Sequence, residues 1–148
     1  MSAQDPRNKF KTDNYEKQEQ EVPGIQAKMS PQPDCGDDSY HGHHRLDGFK
    51  ILVTGGDSAI GRAAAIAYAK EGADVAINYL PSEQQDADDV KQIIENVGQK
   101  AILIPGDIRD EQFNYDMVEK AYQQLGGLDN VTLVGGHQLY QDELSEFK

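Results

Sequence analysis

The chain is short of three things: cysteine, basic residues and long apolar runs. It has one cysteine in 148 residues, so no intramolecular disulfide can form, which fits a reducing compartment. A helix that spans a bilayer needs roughly 20 consecutive apolar residues, and no run approaches that length. The first 28 residues are polar and charged, without the apolar stretch of a secretory leader. Fourteen Lys and Arg stand against 26 Asp and Glu, for a net charge of -12. Without a concentrated basic patch such a chain repels nucleic-acid phosphates. A cytoplasmic protein is therefore expected, with neither nucleic acid nor membrane as a partner. The length suits one small domain plus a tail.

What is present is organised around Lys50 to Arg62. Ile51 to Thr54 has the length and β-branching of a buried strand. It breaks at Gly55-Gly56 and resumes at Ile60 as an alanine-rich helix. A strand, a glycine turn and a helix in that order place free N–H groups and the positive end of the helix dipole beside the loop, which makes an anion site. Small residues at Gly55, Ala59 and Gly61 let a phosphate and the helix approach closely. Gly55, Asp57, Ser58, Ala59, Ile60 and Gly61 are the expected lining for a pyrophosphate and its ribose. No Gly-Lys-Ser/Thr follows, so the loop is not a Walker A loop.

The rest of the chain alternates. The first helix runs to Glu71 and ends at Gly72. Asp74 to Tyr79 forms a strand broken by Leu80-Pro81. Ser82 is the expected cap of a second helix, whose stripe is Ala87, Val90, Ile93, Ile94 and Val97. Ala101 to Ile104 is a third strand. Asp110 caps a third helix carrying Phe113, Met117, Val118, Ala121 and Leu125. Leu128 to Val134 is a fourth strand, ended by Gly135-Gly136. This βαβαβαβ order with buried strands predicts a parallel sheet with right-handed crossovers. Asp142 to Phe147 could begin a further helix.

Residues 1–44 read as a polar, largely irregular extension. They lack the apolar area to offset ordering entropy, so a solvated tail is expected, with Phe10, Tyr15, Ile25 and Met29 as the few anchors for a partner. Cys35, His41, His43 and His44 are metal-ligand types, but their spacing matches no common zinc template. No metal site is expected.

The run Thr54-Gly55-x-x-x-Ala59-x-Gly61 resembles the cofactor motif of the short-chain dehydrogenase/reductase family, from about Arg45 to about His137. Pro33-Asp34-Cys35-Gly36 and Asn78-Tyr79-Leu80-Pro81 resemble a subfamily with an N-terminal extension. The resemblance implies a Rossmann-like α/β fold with strand order 3-2-1-4, truncated after the fourth strand, with residues 45–148 a partial dinucleotide-binding domain. It also implies that the Asp107 carboxylate accepts from the adenine amino group, that Ile108 packs on the ring, and that Gly135 and Gly136 admit the cofactor ribose. The family's Asn-Asn-Ala-Gly is replaced by Leu133-Val134-Gly135-Gly136. Asn78 and Tyr79 stand where an acid would select NAD, and Ser58 stands where a basic residue would favour NADP, so either cofactor remains open.

The family's acid–base pair is Tyr-x-x-x-Lys with a preceding serine. None of the seven tyrosines, Tyr15, Tyr40, Tyr68, Tyr79, Tyr115, Tyr122 and Tyr140, has a lysine four residues later. The expectation is the NAD(P)-binding portion of an oxidoreductase acting on an alcohol/carbonyl pair, inactive alone, with the small-molecule substrate bound only in the complete enzyme. The alternative is a non-catalytic nucleotide-binding or interaction module. The bare edge of the fourth strand predicts association, through a homo-oligomer or a complementing C-terminal half.

Overall fold

The computed structural model describes Asp5 and residues 16–137. Phe10, Tyr15, Tyr140 and the helix expected from Asp142 lie outside the described residues. Within them the order is β1 (Lys50–Thr54), α1 (Ala59–Lys70), β2 (Asp74–Tyr79), α2 (Gln84–Asn96), β3 (Ala101–Pro105), α3 (Glu111–Leu125) and β4 (Asn130–Leu133). All strand pairs are parallel, in the order β3-β2-β1-β4. The architecture is the Rossmann-like sheet expected from the alternation.

Alternate side chains of each strand point to opposite faces, and over β1 and β2 both faces are covered, whereas β4 is largely exposed. Ile51, Val53, Val75, Ile77 and Tyr79 pack with Ala65 and Ala69 of α1 and with Ala87, Val90 and Ile94 of α2. Leu52, Ala76 and Ile104 face Met117, Ala121 and Leu125 of α3. Burying one such aliphatic side chain contributes about 1.5–3 kcal/mol, so the two clusters are what hold the sheet. Val97 and Val118, expected on the inner stripes, are largely exposed.

The helix ends follow from local chemistry. The Asp110 carboxylate accepts from the Phe113 N–H at 3.2 Å and caps α3. Gly126 ends α3 at φ 77°, a left-handed position that a Cβ disfavours. Ser82 is not the cap of α2. Pro81–Glu83 is instead a 3-10 turn in which Glu83 N–H donates to Leu80 O at 2.8 Å and Leu80 N–H donates to Glu83 Oε2 at 3.1 Å. β4 is shorter than expected. The Val134 N–H turns away from the ladder to the Thr54 hydroxyl, at 3.0 Å.

The described part of the extension is not solvated along its length. It lies as a strap along α1 and α2. Gln26 and Cys35 are buried. Lys70 Nζ, at the end of α1, donates to the carbonyls of Gly36, Asp37 and Tyr40 at 2.8, 2.5 and 2.9 Å. The Glu71 carboxylate accepts from the Tyr40 hydroxyl, from the N–H groups of His43 and Arg45 at 2.9 and 3.0 Å, and from the Arg45 guanidinium at 2.5 Å. At Gly42 the strap comes so near α1 that a Cβ would sit 1.7 Å from Lys70 O. The solvated expectation failed because it counted apolar area alone. Hydrogen bonds to Lys70 and to two buried carboxylates, Glu71 and Asp86, the latter accepting from the N–H groups of Gln26 and Ala27 at 2.7 and 3.2 Å, order this segment.

Candidate functional site

The four parallel strands end side by side at one end of the sheet, where open α/β sheets form their ligand cleft, and backbone hydrogen bonds fix the loops around it. Gly56 N–H donates to Asn78 O at 3.0 Å, Gly106 N–H to Tyr79 O at 2.9 Å and Gly135 N–H to Thr54 O at 3.0 Å. The Thr54 hydroxyl also accepts from the Gly135 N–H, at 3.1 Å. Thr54 opens the motif read from the sequence but is given no role there; a hydroxyl at the last position of a buried strand was the available signal.

Two glycines are required here by close approach. A Cβ on Gly61 would lie 1.8 Å from Gly55 O, so α1 seats directly on the turn. A Cβ on Gly55, at φ 62°, would lie 2.9 Å from the Cα of Gly135. Ile108 is on the same wall, its Cδ1 3.2 Å from where a Cβ of Gly135 would stand. Gly55, Gly61, Ile108 and Gly135 are thus brought together, with Gly136 following on the rim.

At the start of α1 the chain leaves donors free. Ser58 precedes the helix in extended conformation without a side-chain cap bond. Arg62 N–H returns to Ser58 O at 2.9 Å, and Ala59 N–H is taken by Gln26 Oε1 at 2.7 Å. Among the described residues nothing accepts from the N–H of Ile60 or Gly61. Ile60 is 75 % exposed, so its end of the helix is open. Unpaired N–H groups at a helix N-terminus suit an anion.

Other expected residues are placed differently. Asp57 is 1 % exposed, and its Oδ2 has no hydrogen-bond partner. Burial pushes the Asp57 carboxyl above the usual range, and Asp86 nearby adds to the rise. Only its backbone can line the loop. Asn78 is buried and spends both amide hydrogens on the carbonyls of Ile104 and Gly106, at 3.1 and 3.0 Å. Tyr79 is buried, and its hydroxyl donates to Gln84 Oε1 at 2.7 Å. Neither side chain opens onto the cleft, so the end of β2 offers a ligand no acid and no base. Asp107 lies at the rim, where the Arg109 guanidinium and N–H hold its carboxyl down to about 2. Arg109 Nε sits 3.1 and 2.9 Å from the two oxygens. With the Arg109 N–H on Oδ1 at 2.9 Å and Nη2 on Oδ2 at 2.5 Å, both carboxylate oxygens already accept from this arginine, so an amino group would have to share or displace those bonds.

The metal-type residues of the extension are dispersed. Cys35 is buried against Gln26, and His44 pairs with Asp47 at 3.0 Å. Among the described residues no group of three His, Cys, Asp or Glu side chains could hold a metal ion. No described helix is long and apolar enough to cross a membrane.

Comparison with known proteins gives this cleft a context. A family model described as short chain dehydrogenase matches residues 50–147. The oxidoreductase YghA of Escherichia coli is 57% identical over 142 residues, covering 96% of this chain and 48% of that protein. The oxidoreductase YhxD of Bacillus subtilis is 59% identical over 133 residues, covering 90% and 44%. The chain spans about half the length of these curated relatives. A solved short chain dehydrogenase from Burkholderia cenocepacia, in complex with NADP, superposes with a TM-score of 0.58 at 38% identity, covering 70% of this chain and 42% of that one.

Proposed function

The chain belongs to the short-chain dehydrogenase family, and from that membership we propose that residues 45–148 bind NAD or NADP as the cofactor portion of an alcohol/carbonyl oxidoreductase. The observation that carries this reading is the pair of unpartnered N–H groups at Ile60 and Gly61, beside a turn that only glycine fits. The diphosphate rests on those donors. Ser58, Ala59 and the backbone of Asp57 form the loop beside it, with Asn78 and Tyr79 behind. Asp107 and Ile108 hold the adenine, and Gly135 and Gly136 admit the ribose. The cofactor, when bound, supplies the hydride. The solved relative with NADP supports a dinucleotide of this class. The buried positions of Asn78 and Tyr79 leave the choice between NAD and NADP to other residues.

These 148 residues hold no Tyr-x-x-x-Lys pair. The acid–base step and the alcohol or carbonyl substrate therefore need a complementing C-terminal half, and the chain by itself binds without turnover in the cytoplasm. Val131 and Leu133 of β4 are 42% and 79% exposed. Two apart in the strand, they share one face of the sheet, and that bare face of the edge strand supports a covering partner, either the complementing half or a second copy. The missing acid–base pair also supports a second reading, a nucleotide-binding module with no catalysis. Calorimetric titration with NADH and NADPH tests the first claim. Saturable binding is expected from the chain and none from Gly61→Val, whose side chain would fill the seat of α1. Wild-type chain that binds neither dinucleotide would overturn it. Robust NAD(P)H-dependent carbonyl reduction by the chain alone would overturn the division of labour.

A further inference from the structure

Gln26 lies far from the glycine-rich run in sequence but touches it through a buried side chain, 6% exposed. Its Oε1 accepts from the Ala59 N–H at 2.7 Å, and its Nε2 donates to Cys35 Sγ at 3.4 Å. Its own N–H donates to Asp86 Oδ2 at 2.7 Å, and the next N–H, of Ala27, to Asp86 Oδ1 at 3.2 Å. Asp86 is 1% exposed on α2. Gln26 is therefore fixed at both ends, by its backbone to α2 and by its side chain to the loop.

Ala59 is where such a tie matters. It sits at φ 47°, in the left-handed region that a Cβ disfavours. Its methyl is exposed, and an open pocket of about 140 Å3 lies beside it, with Gln26, Met29, Ser58 and Ala59 among its walls. The strap also reaches the Ala59 carbonyl, through Cys35 Sγ at 4.0 Å, a longer contact than the Gln26 bond. The loop has room to relax, and the Gln26 hydrogen bond opposes that relaxation. The bond also uses only one of the donors at the start of α1, leaving those of Ile60 and Gly61 free.

We propose that Gln26 is a positioning residue for dinucleotide binding: the strap holds Ala59 left-handed and so presents the Ile60 and Gly61 N–H groups to the diphosphate. This rests on the reading of the cleft as a dinucleotide site. It makes the N-terminal extension part of the cofactor machinery, acting through the loop without touching the ligand.

The test is a double-mutant cycle on the full chain, with NADH binding read by calorimetry. Gln26→Ala is expected to weaken binding about tenfold, equivalent to about 1.4 kcal/mol. Ala59→Gly supplies the second background of the cycle, whatever its own affinity. The double variant should bind within about twofold of Ala59→Gly, because glycine adopts the left-handed conformation unaided. A merely structural strap would cost the same in both backgrounds, and that result would overturn the proposal. So would wild-type affinity in Gln26→Ala. No binding by the wild-type chain would instead overturn the dinucleotide reading on which this one stands. Amide exchange gives a check that needs no variant. Ala59 should be protected in the free chain, while Ile60 and Gly61 should become protected only with NADH. Equal exchange at Ala59 and Ile60 in the free chain would sink the idea.

Discussion

Strand β2 buries five residues in succession, Val75 to Tyr79, while the described strap buries only Gln26 and Cys35 between residues 16 and 45. Both are ordered, by different means. β2 is sandwiched between two ladders and two helical layers, and its order is the by-product of apolar burial. The strap contributes almost nothing to that core. Its backbone N–H groups and carbonyls are instead gathered by Asp86, Lys70 and Glu71. Burial is non-directional and spread over many contacts, whereas a buried carboxylate concentrates several strong, directional bonds on one group. The first arrangement should fail globally and the second locally.

The sharpest way to break the comparison is to damage each region in turn. Leu52→Ala, at a side chain with no exposure, should cost about 3 kcal/mol in chemical denaturation, with the whole sheet unfolding together. Glu71→Gln should cost less globally but release residues 40–45, raising amide exchange at His43 and Arg45 and opening the strap to proteolysis. Equal global losses from the two variants would show that the strap is part of the cooperative core.

Acid should separate the regions without mutation. The Arg45 and Tyr40 hydrogen bonds hold the Glu71 carboxyl well below its ordinary value of 4.5. A depressed carboxyl pKa stabilises the fold above that ordinary value and loses its contribution as the pH falls towards the folded one. Asp57 and Glu83 have the opposite sign. Burial raises both, so taking up a proton relieves them, and their contribution to stability rises as the pH falls. Below about pH 4.5 the strap should therefore loosen before the glycine loop does. Hydrogen exchange at His43 and Gly56 across that range checks the order, and loss of protection at Gly56 first would contradict it.

Sequence reading was good where burial decides and blind where hydrogen bonds decide. The strand order followed from the family resemblance, and the strands, three helices and Asp110 cap from apolar period and turn chemistry. So did the close seating of Gly61 against Gly55. The strap did not, because a polar segment tied by contacts 60 residues apart leaves no periodic trace. A signal did exist: Asp86 lies four residues before Val90 and eight before Ile94, an acid on the apolar stripe of α2. Such a group needs partners, and the backbone N–H groups of Gln26 and Ala27 supply them. Asn78 and Tyr79 were placed at the correct strand end, but sequence could not say that their polar atoms turn inward to β3 and to Gln84. Asp57 was likewise legible as a loop residue and not as a buried one.

The smallest expected effect bears on the boundary between the two regions. Ala59 is the one described residue of the glycine loop, other than glycine, at positive φ. A left-handed alanine costs about 1–2 kcal/mol. Glycine removes that cost but adds about 0.5–1 kcal/mol of chain entropy to the unfolded state. Ala59 is exposed, so losing its methyl sacrifices little packing. Ala59→Gly should therefore stabilise the chain by about 0.5–1 kcal/mol, a rise of a few degrees in melting temperature. The gain should be larger in a chain lacking the Gln26 side chain if that side chain now bears part of the strain. A destabilised Ala59→Gly would mean that the Cβ at this position supports the loop, and that the strap is ordered beside the cradle without restraining it.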